Sequence, residues 1–145
     1  MRCKALATSW FESRKLLLGC ALFTVSLVIS GCEPEVPSPP AGRLASRDAQ
    51  QAGAAIFAAH CAICHGNNGD GHGVRKEGLV PPPANLTLPP WSDPSSAGKT
   101  FLAIRHGVRG TAMAAWPSLD DHEIWNVVAY IVSLNSRSLG GQDKE

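Results

Sequence analysis

Cys61-Ala62-Ile63-Cys64-His65 is the stretch of this 145-residue chain that decides its fold. Two thiols three positions apart on a helical turn are placed to form thioether bonds with the two vinyl groups of one porphyrin. The histidine that follows is placed to bind the iron. The stretch therefore predicts one covalent haem c, attached through Cys61 and Cys64, with His65 as an axial ligand.

Two other sites use the same cysteine spacing. A zinc site needs two further Cys or His ligands at comparable spacing, and the sequence has neither a second CxxC nor an HxxxH. A redox-active dithiol is expected to follow a strand in a βαβ pattern, whereas an alanine-rich helical stretch precedes Cys61. Both alternatives are therefore weaker than the haem interpretation.

The first 31 residues have the layout of an export signal. Arg14 and Lys15 supply its positive region, and an uncharged, mostly apolar run follows from residue 16 to 29. Ile29-Ser30-Gly31-Cys32 then resembles the lipobox of bacterial lipoproteins, which predicts cleavage after Gly31 and lipidation of Cys32. The alternative is an uncleaved membrane anchor, although the uncharged residues 16–32, between Lys15 and Glu33, are at the short limit for a bilayer span. Either way, the domain is expected on the periplasmic side of a bacterial membrane.

The mature chain is predicted to form one small domain. Residues 32–42 are expected to be a lipidated cysteine and an extended, semi-rigid, proline-rich linker. The globular domain is predicted from residue 43 to 135, and residues 136–145 are expected to be a flexible tail. The formal charge of the whole chain is +1 and becomes slightly negative without the basic leader, so nothing indicates nucleic-acid binding.

Apolar periodicity predicts three helices joined by loops. The first is expected from about residue 46 to 61 and the second from about 96 to 105. The third is expected from Ser118, whose side chain can cap its first turn, to about Asn135. Residues 66–90 are rich in Gly, Pro and Asn and are predicted to be loop. Because so little helix cannot build a dense core alone, the fold is expected to depend on a buried haem.

From about Gly53 to Leu134 the chain resembles a class I cytochrome c. The positions where the terminal helices of that family cross are matched by Gly53, Phe57, Val127 and Tyr130. Residues 81–86, Pro-Pro-Pro-Ala-Asn-Leu, resemble the loop in which a prolyl carbonyl accepts a hydrogen bond from the axial histidine. The resemblance implies an all-α fold, with three main helices and long loops packed around one covalent haem.

Gly110-Thr111-Ala112-Met113 resembles the loop that delivers the distal thioether ligand of that family. Met113 is the only methionine left once Met1 is removed with the leader. A single methionine more often fills a gap in a core, but a loop between two helices, far from His65 along the chain, suits a distal ligand. His106 is the alternative ligand. The remaining histidines, expected in solvent, are His60, His72 and His122.

The resemblance implies an electron-transfer protein and not an enzyme. Two filled axial positions suppress reactions with oxygen or peroxide, and a thioether ligand raises the reduction potential. The expected donor is a quinol-oxidising complex or a dehydrogenase, and the expected acceptor is a terminal oxidase or reductase. Two alternatives stay open: a dedicated cytochrome subunit of a periplasmic oxidoreductase complex, and a haem sensor or peroxidase-like protein with an open sixth position.

Several basic residues fall in segments that are expected to surround the haem edge. They are Arg75, Lys76, Lys99, Arg105 and Arg109. Such a field can steer an acidic partner, or the charges can be scattered over a solvated surface.

Overall fold

The computed structural model describes the backbone of residues 35–140 and the side chains of residues 35–134. The predicted signal peptide, the lipidation site at Cys32 and the last five residues lie outside this range. Within it the chain is helical and contains no strand, which confirms the predicted all-α fold. None of the helices in this range has the length and hydropathy needed to cross a bilayer.

Four α-helices form the described part of the chain. Helix α1 spans Arg47–His60, the short helix α2 spans Ala62–His65, helix α3 spans Ala97–His106 and helix α4 spans Asp121–Gly140. A 3₁₀ turn at Pro94–Ser96 leads into α3. Residues between α2 and this turn form the predicted long loop.

The first predicted helix ends at His60, close to the expected end at Cys61, and a short helix that was not predicted, α2, follows it. The Cys61 amide closes α1 by donating to the Phe57 carbonyl oxygen at 2.8 Å. The Cys61 carbonyl then accepts from the amides of both Cys64 and His65, at 3.1 and 2.9 Å. The haem-binding stretch is therefore a tight turn of its own at the end of α1.

Helix α4 differs from its prediction at both ends. The Asp120 carboxylate, and not the Ser118 hydroxyl, caps the first turn by accepting from the Glu123 amide at 2.8 Å. The Glu123 carboxylate accepts in return from the Asp120 amide at 2.9 Å, which completes a capping box. At the other end the helix continues past Asn135 to Gly140, since no proline or glycine interrupts it earlier. Residues 136–140, expected in a tail, are therefore helical.

Helices α1 and α4 cross at Gly53, as the resemblance implied. A side chain at position 53 would overlap the Asn126 carbonyl group and lie 2.9 Å from the Val127 amide nitrogen. Only glycine permits this approach of the two backbones. One turn further along, the rings of Phe57 and Tyr130 pack with centroids 5.1 Å apart and planes at 54°.

Helix α3 packs on the start of α4 through aromatic and polar contacts. The Phe101 and Trp125 rings lie 4.6 Å apart between centroids. The Arg105 guanidinium donates to the Leu119 carbonyl oxygen at 2.7 Å and pairs with the Asp121 carboxylate. Arg105 therefore joins the two helices through its guanidinium.

The proline-rich segment lies against the domain from Val36 onwards. The Val36 side chain and the Pro37 carbonyl occupy the space next to Gly98 in the first turn of α3 that a side chain there would need. The segment was predicted to be a spacer as far as residue 42. Within it, Val36 and Pro37 lie against α3, and residues 38 and 40–42 are exposed.

Candidate functional site

A cavity of about 390 Å³ lies between the helices and the long loop. Phe57, Val127 and Ile131 contribute its wall at the helix crossing, and Ile104 contributes a wall from α3. Residues 81–84 close it on the loop side. Cavities of this size with mostly apolar walls and a few polar groups are typical of cofactor sites.

The structure brings four predicted site residues together at this cavity. Cys61, Cys64 and His65 line it from the turn after α1, and Met113 lines it from the connection between α3 and α4. Both thiols are half-buried and are not joined in a disulfide. The cavity thus presents two sulfur nucleophiles, an imidazole and a thioether to one apolar space, which is the donor set that haem c requires.

The pKa of the Cys61 thiol distinguishes this site from a redox-active dithiol. Burial, and secondarily the neighbouring Cys64, raises the pKa of the Cys61 thiol to about 11. Reactive dithiols work the other way, since their microenvironment lowers the pKa of the attacking thiol. At neutral pH Cys61 is therefore a neutral, apolar-like group in a cavity wall.

The imidazole of His65 is oriented by the long loop. Its Nδ1 donates a hydrogen bond to the Ala84 carbonyl oxygen at 3.0 Å. The acceptor lies in the expected loop, but it is the carbonyl of Ala84 and not that of a proline. With Nδ1 bonded in this way, Nε2 is the ring nitrogen available to a metal.

Met113 is held at the cavity by the loop that precedes it. The Met113 carbonyl accepts from the Val108 amide at 3.0 Å, and the Met113 amide donates to the Thr111 hydroxyl at 3.1 Å. The side chain is half-buried and packs against the core. His106, at the end of α3, is exposed and does not line the cavity. The geometry therefore favours Met113 over His106 as the second axial ligand.

The other histidines are exposed, as expected, although each has a neighbour. His72 lies 3.6 Å from the Asp70 carboxylate, and His122 Nε2 accepts from the Arg43 guanidinium at 2.9 Å. His60 also lines the cavity and packs against the Trp116 ring at 5.2 Å between centroids. Its place directly before Cys61 was the sequence signal for this role, and the prediction missed it.

A comparison with known families agrees with this site. The sequence model of the family described as cytochrome c oxidase, cbb3-type, subunit III matches residues 48–131, more than half of the chain. The matched segment contains the cysteine pair, both predicted axial ligands and the helix crossing at Gly53.

Proposed function

Because the chain belongs to the cytochrome c family described as cytochrome c oxidase, cbb3-type, subunit III, we propose that it passes single electrons between redox proteins at the periplasmic face of a bacterial membrane. A cytochrome c domain binds haem c covalently and transfers electrons without catalysing a conversion itself. The observation that supports the proposal is the meeting of Cys61, Cys64, His65 and Met113 at one apolar cavity.

Each of these residues has a separate task in the proposed site. Cys61 and Cys64 would hold the porphyrin through thioether bonds, and His65 and Met113 would bind its iron. When bound, haem c supplies a one-electron ferric–ferrous couple whose potential is raised by the thioether ligand. The Ala84 carbonyl fixes the orientation of the His65 ring, and the apolar walls exclude water.

The rim of the cavity suits a partner that binds briefly. Val80 is 86% exposed between cavity-lining neighbours, and Val108 is 37% exposed although it lines the cavity. Arg109 is exposed beside Val108. A small apolar rim with isolated charges is consistent with the low-area interfaces of electron-transfer complexes. The partners we propose are a quinol-oxidising complex or dehydrogenase as donor and a terminal oxidase or reductase as acceptor.

A dedicated oxidase subunit is the second candidate function. The description of the matched family supports it, because that description names a subunit of an oxidase. This candidate requires a permanent interface with the rest of the enzyme, whereas a carrier requires a transient one. The same rim residues suit either kind of interface. The two functions are therefore distinguished by whether the protein purifies with a bound partner or without one.

The carrier function has a direct test. The holoprotein, extracted from membranes, is expected to titrate as one couple with a one-electron Nernst slope. Its ferrous form is expected not to bind carbon monoxide at neutral pH, since both axial positions are filled. Ready binding of carbon monoxide would contradict the carrier and support a sensor or peroxidase-like protein. If the protein stays bound to an oxidase during purification in detergent and high salt, the result would support the oxidase-subunit function.

We also propose that the protein is a lipoprotein anchored through Cys32, on the evidence of the Ile29-Ser30-Gly31-Cys32 stretch. Since the described segment is packed on α3 from Val36, the chain between Cys32 and Val36 can span at most about 14 Å. A lipidated protein would therefore keep its domain close to the headgroups.

Intact-mass measurement tests the anchor. Because of the lipobox-like stretch, the wild-type protein is expected to have lost residues 1–31 and gained a diacylglyceryl group on Cys32. One diacyl unit would then bind the protein firmly to a bilayer. Cys32→Ala should abolish both changes, whereas Cys20→Ala, in the leader but outside the lipobox, should leave them intact. A wild-type mass that retains residues 16–31 would instead support the uncleaved anchor.

A further inference from the structure

A glycine-rich turn, residues 66–71, follows α2 and lies next to the loop that contains Ala84. The Gly71 amide donates to the His65 carbonyl oxygen at 2.8 Å, which ties the turn to the ligand residue itself. The Leu86 amide donates to the Gly69 carbonyl oxygen at 2.6 Å, which ties the same turn to the loop that contains Ala84. The turn is thus bonded to the backbone of His65 and to the loop that carries the acceptor of its ring, two residues from Ala84.

Gly71 is the point at which the turn touches this loop. Its φ is +82°, and a Cβ at this position would lie 2.7 Å from the Pro83 carbonyl oxygen. The same Cβ would lie 3.4 Å from the carbonyl carbon and oxygen of Ala84. The Pro83 oxygen is a backbone atom inside contact distance, so any side chain at position 71 must displace the peptide group that joins Pro83 to Ala84. The Ala84 carbonyl itself is at ordinary contact distance and moves only because it follows that peptide group.

We propose that Gly71 is a positioning residue for the haem iron. By letting the turn approach the loop, it sets how closely the Ala84 carbonyl meets His65 Nδ1, and through that bond it tunes the reduction potential. A carbonyl that accepts strongly from Nδ1 makes the imidazole a more basic ligand and stabilises the ferric state. A side chain at position 71 weakens this bond and so raises the potential. The inference rests on the proposed function, in which His65 is an axial ligand.

Gly78 provides a matched control. It has nearly the same conformation, with φ at +77°, but nothing lies within 4 Å of a Cβ placed there. It does not line the cavity. A substitution at Gly78 therefore reproduces the backbone strain of a substitution at Gly71 without the contact with the loop. Asparagine is the suitable replacement because it tolerates positive φ better than most residues.

The test compares Gly71→Asn with Gly78→Asn in the full-length holoprotein. Potentiometry is expected to show a higher potential for Gly71→Asn and an unchanged one for Gly78→Asn. Proton NMR is expected to show that the His65 Nδ1 proton exchanges with solvent about fivefold faster in Gly71→Asn. This factor corresponds to about 1 kcal/mol, the net free energy of a typical hydrogen bond. Gly71→Ala should change both quantities in the same direction.

Two results would overturn the proposal. One is an unchanged potential and exchange rate in the Gly71 variants. The other is a failure of both Gly71 variants to incorporate haem while the Gly78 variant matures normally, since that would assign Gly71 to assembly and not to tuning. Failure of the proposed function is seen separately, in the wild type alone, as the absence of a paramagnetically shifted His65 ring.

Discussion

Replacement of both Cys61 and Cys64 by alanine is expected to abolish covalent haem binding and to unfold most of the domain. Without sulfur nucleophiles no thioether bond can form. A cavity of about 390 Å³ with mostly apolar walls then lacks a covalently held group to fill it. Small domains have only about 5–15 kcal/mol of stability, so the helices should not hold their native packing.

Acid–acetone extraction and circular dichroism measure this result. The wild-type protein should keep its haem after extraction and give a pyridine haemochrome typical of two saturated vinyl groups. The double variant should release all haem and lose most of its helical signal. Ile63→Ala is the control, because Ile63 lies between the cysteines but is exposed. Release of free haem from the wild type would show that the attachment proposed here is wrong.

Met113→Ala is expected to have the second largest effect. Loss of the thioether should remove the weak sulfur-to-iron charge-transfer band of the ferric protein and open the sixth position to water or carbon monoxide. The potential should fall by a sizeable part of the roughly 0.8 V that axial ligands span. Absorption spectra, carbon monoxide titration and potentiometry measure the three changes.

His106→Ala is the control for this variant. His106 is exposed and lies outside the cavity lining, so its removal should leave the band, the carbon monoxide response and the potential as in the wild type. Altered iron ligation in His106→Ala, with normal ligation in Met113→Ala, would show that the proposed axial pair is wrong.

The features that depend on local spacing could be predicted from the amino-acid sequence. The haem-attachment motif of Cys61, Cys64 and His65 could be predicted because the three residues lie on one turn of backbone, independently of the rest of the fold. The three main helices were readable from apolar periodicity, because burial on one face imposes a repeat on the residues. The crossing of α1 and α4 followed from a glycine and an aromatic residue one turn apart, through resemblance to a known family.

The contacts between distant segments of the chain could not be predicted in this way and are seen only in the folded domain. The acceptor for His65 is the carbonyl of Ala84, 19 residues away, and every residue of that loop offers a similar carbonyl. The cap of α4 was predicted at Ser118 and is Asp120, because both side chains can accept from a helix amide and the sequence does not distinguish them. The contact of Pro37 with Gly98 also joins segments that no local pattern connects. Backbone groups and exposed side chains are chemically alike along the chain, so their partners are selected by the packing of the whole domain.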